Sequence, residues 1–439
     1  MKQLIALILG GVLCGNSVGS EKADYVLHEW GTFTTVSGSD GVILTGLERE
    51  EEHLPGFVYA HRGMENGTLT DPGDLLVLKE KGGIIPVPNI ANLYAFSKGR
   101  WQRNLRNVTV KMETPVIYFY TDEELSVDVE VGFKGGSISQ WFPHRSSGEA
   151  APKITRNFLE KPVPGKEVPP IQKQEEEMGL IDFAKGYEGR IQWEVDVLPR
   201  EKVDPVKLFR SGETPSWIYP KVPNSAVVRN ALGEHEDYLF YRGVGNFSQP
   251  VITTVDSENR LIIRNKSEGK VPFGFVFENQ LGSVRYKILG EGVDADGILM
   301  LEEKAMVSAQ SDWKEEVYVA MRDGLVRAGL YPEEADGMVR TWWKSYFETD
   351  GLRVFWIVPE AETNRILPMK VSPEPKEIVR VIVGRTEVLR PSFERELVQK
   401  LTSDRKEDAG WKTQYLSDRF GLAYQKRVED LQKLADKGK

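Results

Sequence analysis

The histidines of this chain are concentrated near its N-terminus, where they could act as metal ligands or as acids and bases. Four of the five lie in the first 150 residues, as His28, His53, His61 and His144, and the fifth is His235. An imidazole can bind a metal or exchange a proton near neutral pH. The spacings match no known ligand pattern such as His-Glu-X-X-His. The argument for a metal site therefore rests on the clustering of histidines in this part of the sequence. The candidate ligands are His53, His61 and His144, and the alternative is that they are solvated or structural histidines.

The pair His28-Glu29 lies in a stretch that is predicted to be a strand, 25–36. Because side chains alternate along a strand, Glu29 is expected on the same side as Leu27 and Phe33. A carboxylate on such an apolar face either pairs with a cation or lines a pocket. The cationic partners that the sequence suggests are Arg242, Lys111 or one of the residues His53, His61 and His144.

Three further charged residues on predicted strands are candidates for ligand binding. Lys111 and Glu113 occupy alternate positions of one strand, and Arg242 lies in an aromatic stretch near residue 240. Each has the same two readings as Glu29, a structural ion pair or a contact with a ligand. With His28 and Glu29 they form the predicted set of binding residues.

Sequence strings typical of known catalytic sites are missing from this chain. It has no Gly-X-Ser-X-Gly elbow, phosphate loop or dinucleotide fingerprint, and it indicates no particular cofactor. This favours a non-enzymatic binding protein for a small molecule, a glycan or a protein. Ten tryptophans could provide rings for sugar stacking, although most tryptophans are core residues. The alternative is an extracytoplasmic hydrolase, with or without a metal, whose site lies around His28 and Glu29.

The N-terminus has the features of a secretory signal peptide. Lys2 provides a positive charge, residues 4–13 form a short apolar run, and Val18-Gly19-Ser20 offers small residues for cleavage. We expect cleavage after Ser20 and a periplasmic or secreted product. Cys14 would suggest a lipoprotein, but the leucine before it is a poor lipidation context. No other stretch is long and apolar enough for a membrane helix.

Composition excludes some functions of the mature chain. The net charge of the full sequence is −9, and removal of Lys2 with residues 1–20 leaves −9 − 1 = −10. Such a chain is unsuited to nucleic acid, because phosphate backbones require a basic surface. Cys14 is the only cysteine, so no disulfide framework is available to the mature protein, which fits a bacterial exported protein.

The predicted fold class is α+β, with an antiparallel, β-sandwich-like region at 21–301 and a helix-rich α+β region at 302–439. Alternating apolar residues predict strands at 126–133 and 191–197. Between them, the Pro-, Lys- and Glu-rich stretch near 151–177 is expected to be a long exposed loop. Many short strands separated by turn residues are typical of a sandwich or barrel.

Helical spacing replaces strand alternation after about residue 302. Asp312 and Glu315 are placed as a capping box for a first helix. Pro332, followed by Glu333 and Glu334, marks the start of a second helix, because acidic residues favour the positive end of a helix. Two strands and two more helices are predicted between this hairpin and the C-terminus.

Four segments of the chain resemble a group of uncharacterised exported bacterial proteins. They are Leu27-His-Glu-Trp-Gly-Thr-Phe-Thr34, Lys111-Met-Glu-Thr-Pro-Val-Ile-Tyr118, Tyr238-Leu-Phe-Tyr-Arg-Gly243 and Arg380-Val-Ile-Val-Gly-Arg-Thr-Glu387. The resemblance runs from about residue 25 to the C-terminus, and its most specific part is the His-Glu-Trp-Gly-Thr-Phe-Thr string. It implies bacterial export, and it implies no reaction, cofactor or catalytic residue.

Overall fold

The computed structural model describes residues 22–49, 54–60, 69–70, 105–149, 181–309, 311–403, 405 and 408–437. Within them the fold is α+β and rich in strands, with large antiparallel sheets. Its helices lie mostly in the C-terminal region, as the change of sequence period predicts. The loop predicted near 151–177 lies outside the described residues. No described helix has the length and apolar character needed to span a membrane.

The described elements are numbered along the chain. The strands are β1 Ala23–Ser37, β2 Tyr59–Ala60, β3 Leu69–Thr70, β4 Leu105–Arg106, β5 Val110–Tyr120, β6 Leu125–Lys134, β7 Gly136–Phe142, β8 Ser147–Gly148, β9 Ile181–Asp182, β10 Glu188–Leu198, β11 Val227–Asn230, β12 His235–Glu236, β13 Leu239–Gly245, β14 Val251–Val255, β15 Leu261–Asn265, β16 Gly274–Gln280, β17 Ser283–Leu289, β18 Ile298–Leu301, β19 Val307–Ser308, β20 Gly351–Ile357, β21 Met369–Ser372 and β22 Pro375–Val388. The α-helices are α1 Pro215–Ile218, α2 Trp313–Arg327, α3 Pro332–Phe347, α4 Glu360–Ile366, α5 Pro391–Thr402, α6 Ala409–Ser417 and α7 Gly421–Lys437. The strands predicted at 126–133 and 191–197 are confirmed as parts of β6 and β10.

The largest sheet pairs the first described strand with the last one. Its order is β19-β17-β16-β20-β22-β1-β5-β13-β7-β2-β3. Strand β1 lies between β22, which runs parallel to it, and β5, which runs antiparallel. Strands from both sides of residue 301 therefore belong to one sheet. Strand β1 is buried along nearly its whole length, so neither of its faces is exposed to solvent. This burial agrees with its central position in the sheet.

A glycine in β1 is required where that strand meets β5. The register of the β1–β5 pair shifts between Trp30 and Thr32. A Cβ on Gly31 would lie 2.9 Å from the Cα of Pro115, closer than real Cβ atoms approach backbone. The neighbouring Thr114 has a positive φ of 52°. The glycine of the His-Glu-Trp-Gly segment thus permits a close approach at an irregularity of the ladder.

The two faces of the largest sheet contact different layers. On the face of Glu29, Tyr241 lies beside Trp193 of the six-stranded sheet, with ring centroids 6.2 Å apart. That second sheet has the order β12-β11-β10-β6-β21, with β8 also paired to β10. On the opposite face, His28 contacts helix α3 through Glu334. One apolar core cluster includes residues from both sheets and from α2 and α3.

Helices α2 and α3 form the predicted helical hairpin, but the capping box predicted for α2 is not formed. Asp312 precedes α2 without a side-chain capping hydrogen bond. At the start of α3, by contrast, the side chain of Glu334 accepts a hydrogen bond from the backbone N–H of Tyr331, which is one of the two bonds of a capping box. The prediction for Asp312 was wrong, since a suitable residue pair does not determine the side-chain rotamers that a box requires.

Candidate functional site

Glu29 is fully buried in the largest sheet and has two strong partners. The Tyr241 hydroxyl donates to its Oε1 at 2.5 Å, and the Nε of Arg380 donates to its Oε2 at 2.6 Å. Neither Glu29 nor the Arg380 side chain is more than 3% exposed. Burial and the charge of Glu29 raise the pKa of Tyr241, so this hydroxyl stays protonated and donates. The carboxylate expected on an apolar face is therefore paired, as burial demands.

The cation that pairs with Glu29 was misidentified from the sequence. Arg380 lies directly beside Glu29 in the parallel register of β1 and β22. Its Nη1 donates to Asn364 Oδ1 at 2.8 Å and to the Leu367 carbonyl at 2.7 Å, which fixes the guanidinium. The suggested partners Arg242, Lys111 and His144 are wrong, because each has its contacts elsewhere. The available signal was the position of Arg380 at the start of one of the four resembling segments.

The other three predicted binding residues are not gathered around Glu29. Lys111 Nζ donates to the Arg49 carbonyl at 3.0 Å, and it lies 4.9 Å from the ring centre of Phe420. Glu113 Oε2 accepts a hydrogen bond from Thr34 at 3.0 Å. The Nε of Arg242 donates to the side chain of Gln140. Each of these residues is buried, so the strand reading correctly placed charged groups in the interior, and their described contacts do not join them to Glu29.

The described histidines do not come together around a metal. His53 and His61 lie outside the described residues, so their role as ligands stays a prediction. The backbone N–H of His144 donates to Glu234 at 2.8 Å, and its ring packs edge-on against Tyr59. His235 Nδ1 lies 2.8 Å from the Gly233 carbonyl. Within the described ranges, no group of three or more His, Cys, Asp or Glu side chains could hold a metal ion.

His28 forms a pair that the sequence did not reveal. Its Nδ1 lies 2.8 Å from Oε2 of Glu334, and both side chains are at most 2% exposed. Glu334 also accepts a hydrogen bond from the Tyr120 hydroxyl at 2.8 Å on Oε1 and one from the Tyr331 backbone N–H at 2.7 Å on Oε2. Three donors thus converge on one carboxylate, which fixes the orientation of the imidazole. Burial and the charge of Glu334 raise the pKa of Tyr120, so its hydroxyl remains a donor.

Tyr331 covers the buried His28–Glu334 pair and presents an aromatic surface. Its ring centre lies 4.4 Å from that of His28 at an interplanar angle of 37°, and 4.8 Å from that of Tyr120 at 80°. The residue is 40% exposed. Its pKa is raised by partial burial and then by the charges of Glu334 and Glu377, with Glu377 on the neighbouring strand β22. The ring therefore stays neutral, and Glu377, whose charge acts on it, is exposed to solvent.

We define the Tyr331 surface as Tyr331, Tyr120, His28, Glu334 and Glu377. Sequence reasoning identified His28 but missed the other four as site residues. The signal for Glu334 was present, since it was placed in the acidic first turn of a predicted helix. The signal for Tyr331 was its position just before Pro332, at the start of that helix. The packing of α3 on β1 brings Glu334 and Tyr331 to His28, whereas strand pairing places Tyr120 and Glu377 beside β1.

A second buried charge cluster, which we call the Glu387 cluster, lies at the other end of β22. The Nε of Arg353 donates to Oε1 of Glu387 at 2.7 Å, and Arg385 also pairs with this carboxylate. Arg419 lies 3.5 Å from the same oxygen. Burial would raise the pKa of Glu387, but the charges of Arg353, Arg385 and Arg419 together hold that pKa below its ordinary value. Arg353 also donates to carbonyls at the end of α3, including that of Tyr346, so the cluster fixes this helix to the sheet.

The chain matches no protein-family model and no curated protein sequence. A function for it must therefore be inferred from the geometry of its own residues. Within the part of the chain that the structure describes, the Tyr331 surface combines an exposed aromatic residue with polar side chains held by hydrogen bonds.

Proposed function

We propose that this is an exported bacterial binding protein without enzymatic activity, and that it binds its ligand on the Tyr331 surface. The observation that carries the proposal is the exposed residue Tyr331, whose ring packs at a tilt against an imidazole whose orientation is fixed by Glu334. A rigid aromatic ring binds a flat apolar ligand face with little loss of side-chain freedom. The exposed carboxylate of Glu377 adds a hydrogen-bond acceptor at the margin. A ring beside a carboxylate suits a sugar or a similar small molecule.

The surroundings of Glu29 support binding rather than catalysis. Its two carboxylate oxygens are occupied by Tyr241 and Arg380 in a site without solvent access. A general acid or base must reach the proton that it transfers. A Glu29 side chain that is enclosed in this way stabilises the fold and cannot serve as the central residue of a hydrolase.

We expect replacement of Tyr331 by alanine to weaken ligand binding about tenfold, because a stacking contact contributes about 1 kcal/mol or more. Cellopentaose, maltopentaose and chitopentaose are suitable probes, with affinity measured by isothermal titration calorimetry. Tyr331→Phe keeps the ring and should retain most of the affinity. Tyr219→Ala is the matched control, because Tyr219 is similarly exposed, at 42%, but is not part of the Tyr331 surface. Equal affinities for the wild type and Tyr331→Ala would contradict the proposed site.

The alternative function is an extracytoplasmic hydrolase that uses His28. It is favoured by one observation, the contact between His28 Nδ1 and the Glu334 carboxylate, because a carboxylate that orients an imidazole is a common arrangement for a general base. Cleavage of an ester or glycoside probe that is abolished in His28→Gln, with folding retained, would support it. Binding of an oligosaccharide without turnover supports the binding protein instead.

The proposal includes export, so the mature protein should begin at Glu21. The reason is the short apolar run followed by the small residues Val18, Gly19 and Ser20. N-terminal sequencing of protein recovered from the periplasm or medium measures this directly. Recovery of a chain that still starts at Met1, or of one lipidated at Cys14, would refute it.

We also propose that the largest sheet and the six-stranded sheet face each other as a β-sandwich. Support comes from the contact between Trp193 and Tyr241 and from the apolar core cluster that the two sheets share. In such a sandwich the inward residues of both sheets interdigitate. The Tyr331 surface then lies on the opposite side of the largest sheet, where α3 packs.

A further inference from the structure

Three neighbouring strands of the largest sheet form one side of the Tyr331 surface. Val26 on β1 pairs with Tyr120 on β5 and with Glu377 on β22. Residues that pair across strands direct their side chains to the same face, and so do residues two apart along one strand. Tyr120, Val26 and Glu377 therefore form a row across the face that also carries His28. Because neighbouring strands lie about 4.8 Å apart, the two ends of this row are separated by about 10 Å.

The turn between α2 and α3 borders this row. Val379 pairs with His28 in the register of β1 and β22. A Cβ on Gly329 would lie 2.9 Å from the side chain of Val379, so the turn packs directly on that residue. Tyr331 follows two residues later and packs against His28. Glu377 precedes Val379 by two residues on the same face of the sheet and is exposed, so it lies at the margin of the turn.

Glu377 is a carboxylate without a counter-charge on this face. Two carboxylates, Glu334 and Glu377, and one ammonium group, that of Lys376, act on the Tyr331 hydroxyl. Lys376 neighbours Glu377 on β22, so its side chain starts toward the opposite face. Its Nζ lies 2.7 Å from Oδ1 of Asp24, which matches its charge. Among the described residues, no salt bridge or hydrogen bond involves the Glu377 side chain.

We propose that the ligand of the Tyr331 surface carries an ammonium group. The faces of aromatic rings attract cations, and Tyr331 and Tyr120 place two rings 4.8 Å apart at an angle of 80°. The exposed carboxylate of Glu377 attracts the same cation and repels anionic ligands. The inference rests on the proposed binding function and narrows its ligand to a chemical class. Both a small quaternary amine and an amino sugar contain the required group.

Two pairs of probes that differ in charge test the inference. Choline is compared with its neutral isostere 3,3-dimethyl-1-butanol, and a glucosamine pentamer is compared with chitopentaose, its N-acetylated form. Calorimetric titration at about 20 mM salt measures each affinity, because higher salt screens exposed charges. We expect the charged member of at least one pair to bind about tenfold more tightly. The pair that shows this preference distinguishes a small amine from an amino sugar.

Two variants remove the two proposed contacts separately. Glu377→Gln removes the carboxylate, and Tyr331→Leu keeps apolar bulk without an aromatic ring. Each should reduce the preference for the charged probe by a factor of about two or more. Glu291→Gln is the matched control, because it removes the same charge from an exposed residue in the loop after β17 and should leave the preference unchanged. Circular dichroism checks that every variant is folded.

The possible failures of the inference and of the binding site can be told apart. Equal affinities within both probe pairs would overturn the inference, whereas the site would stand if a neutral oligosaccharide binds the wild type more tightly than Tyr331→Ala. Probes whose affinities are all unaffected by Tyr331→Ala would refute the site and the inference together. A charge preference that persists in both Glu377→Gln and Tyr331→Leu, or that falls equally in Glu291→Gln, would reflect attraction to the acidic chain as a whole and would also overturn the inference.

Discussion

Replacing Glu29 by glutamine is expected to lower the free energy of unfolding by about 3–5 kcal/mol, because it leaves a buried guanidinium without its counter-charge. Arg380 is the cation concerned, with its side chain 3% exposed and its Nε 2.6 Å from the carboxylate. Tyr241 would also lose a charged acceptor for its hydroxyl. Urea unfolding followed by tryptophan fluorescence measures the change. Oligosaccharide binding at the Tyr331 surface should persist wherever the variant is folded.

Two further variants test whether the loss of stability comes from breaking this ion pair. Asp24→Asn removes the charge from a pair with Lys376 in which the Asp24 side chain is 89% and the Lys376 side chain 55% exposed, and it should leave stability essentially unchanged. A double variant, Glu29→Gln with Arg380→Met, removes both charges and should be less destabilised than the sum of its single variants. A Glu29→Gln protein as stable as the wild type would mean that the pair contributes nothing to folding.

Replacing Glu387 by glutamine should destabilise the protein by at least about 3 kcal/mol, because three guanidinium groups share this one buried carboxylate. Arg353 is fully buried, and the cluster fixes the end of α3 to the sheet. Removing the charge therefore weakens the contact between the helical layer and β22. Thermal and urea unfolding at neutral pH measure the effect.

The same carboxylate makes stability depend on pH in a defined direction. The pKa of Glu387 in the folded protein is lower than its ordinary value of 4.5. A carboxyl group whose pKa is lower in the folded than in the unfolded protein contributes its full stabilisation at pH values above its pKa in the unfolded protein. That contribution is lost as the pH falls through its pKa in the folded protein. The free energy of unfolding should therefore decrease below about pH 4.5 more steeply for the wild type than for Glu387→Gln.

Glu130 provides a matched comparison for the pH experiment. Its pKa is also lowered, chiefly by a hydrogen bond from Lys370, with a further contribution from Arg190, but its side chain is 24% exposed and its partners are largely solvated. Glu130→Gln should change stability by about 1 kcal/mol or less at any pH. If Glu387→Gln shows the same acid dependence as the wild type, another group dominates the acid transition.

Local sequence patterns predicted the elements because each pattern reflects the environment of one strand or helix. Alternating apolar residues at 126–133 and 191–197 predicted strands, and these segments have one buried and one more exposed face in the folded protein. Helical spacing and Pro332 predicted α2 and α3 in the same way. The position of Glu29 beside Leu27 and Phe33 correctly indicated a buried carboxylate that needs a partner.

The partners themselves were decided only by the tertiary structure. Arg380 is 351 residues from Glu29, and Glu334 is 306 residues from His28. Periodicity identifies a strand, but it contains no information about which distant strand will be its neighbour. The parallel pairing of β1 with β22 brings Arg380 to Glu29, and the packing of α3 on β1 brings Glu334 and Tyr331 to His28. The sequence alone thus indicated that Glu29 is buried, whereas long-range packing determined which partners Glu29 and His28 have and where an aromatic surface remains exposed.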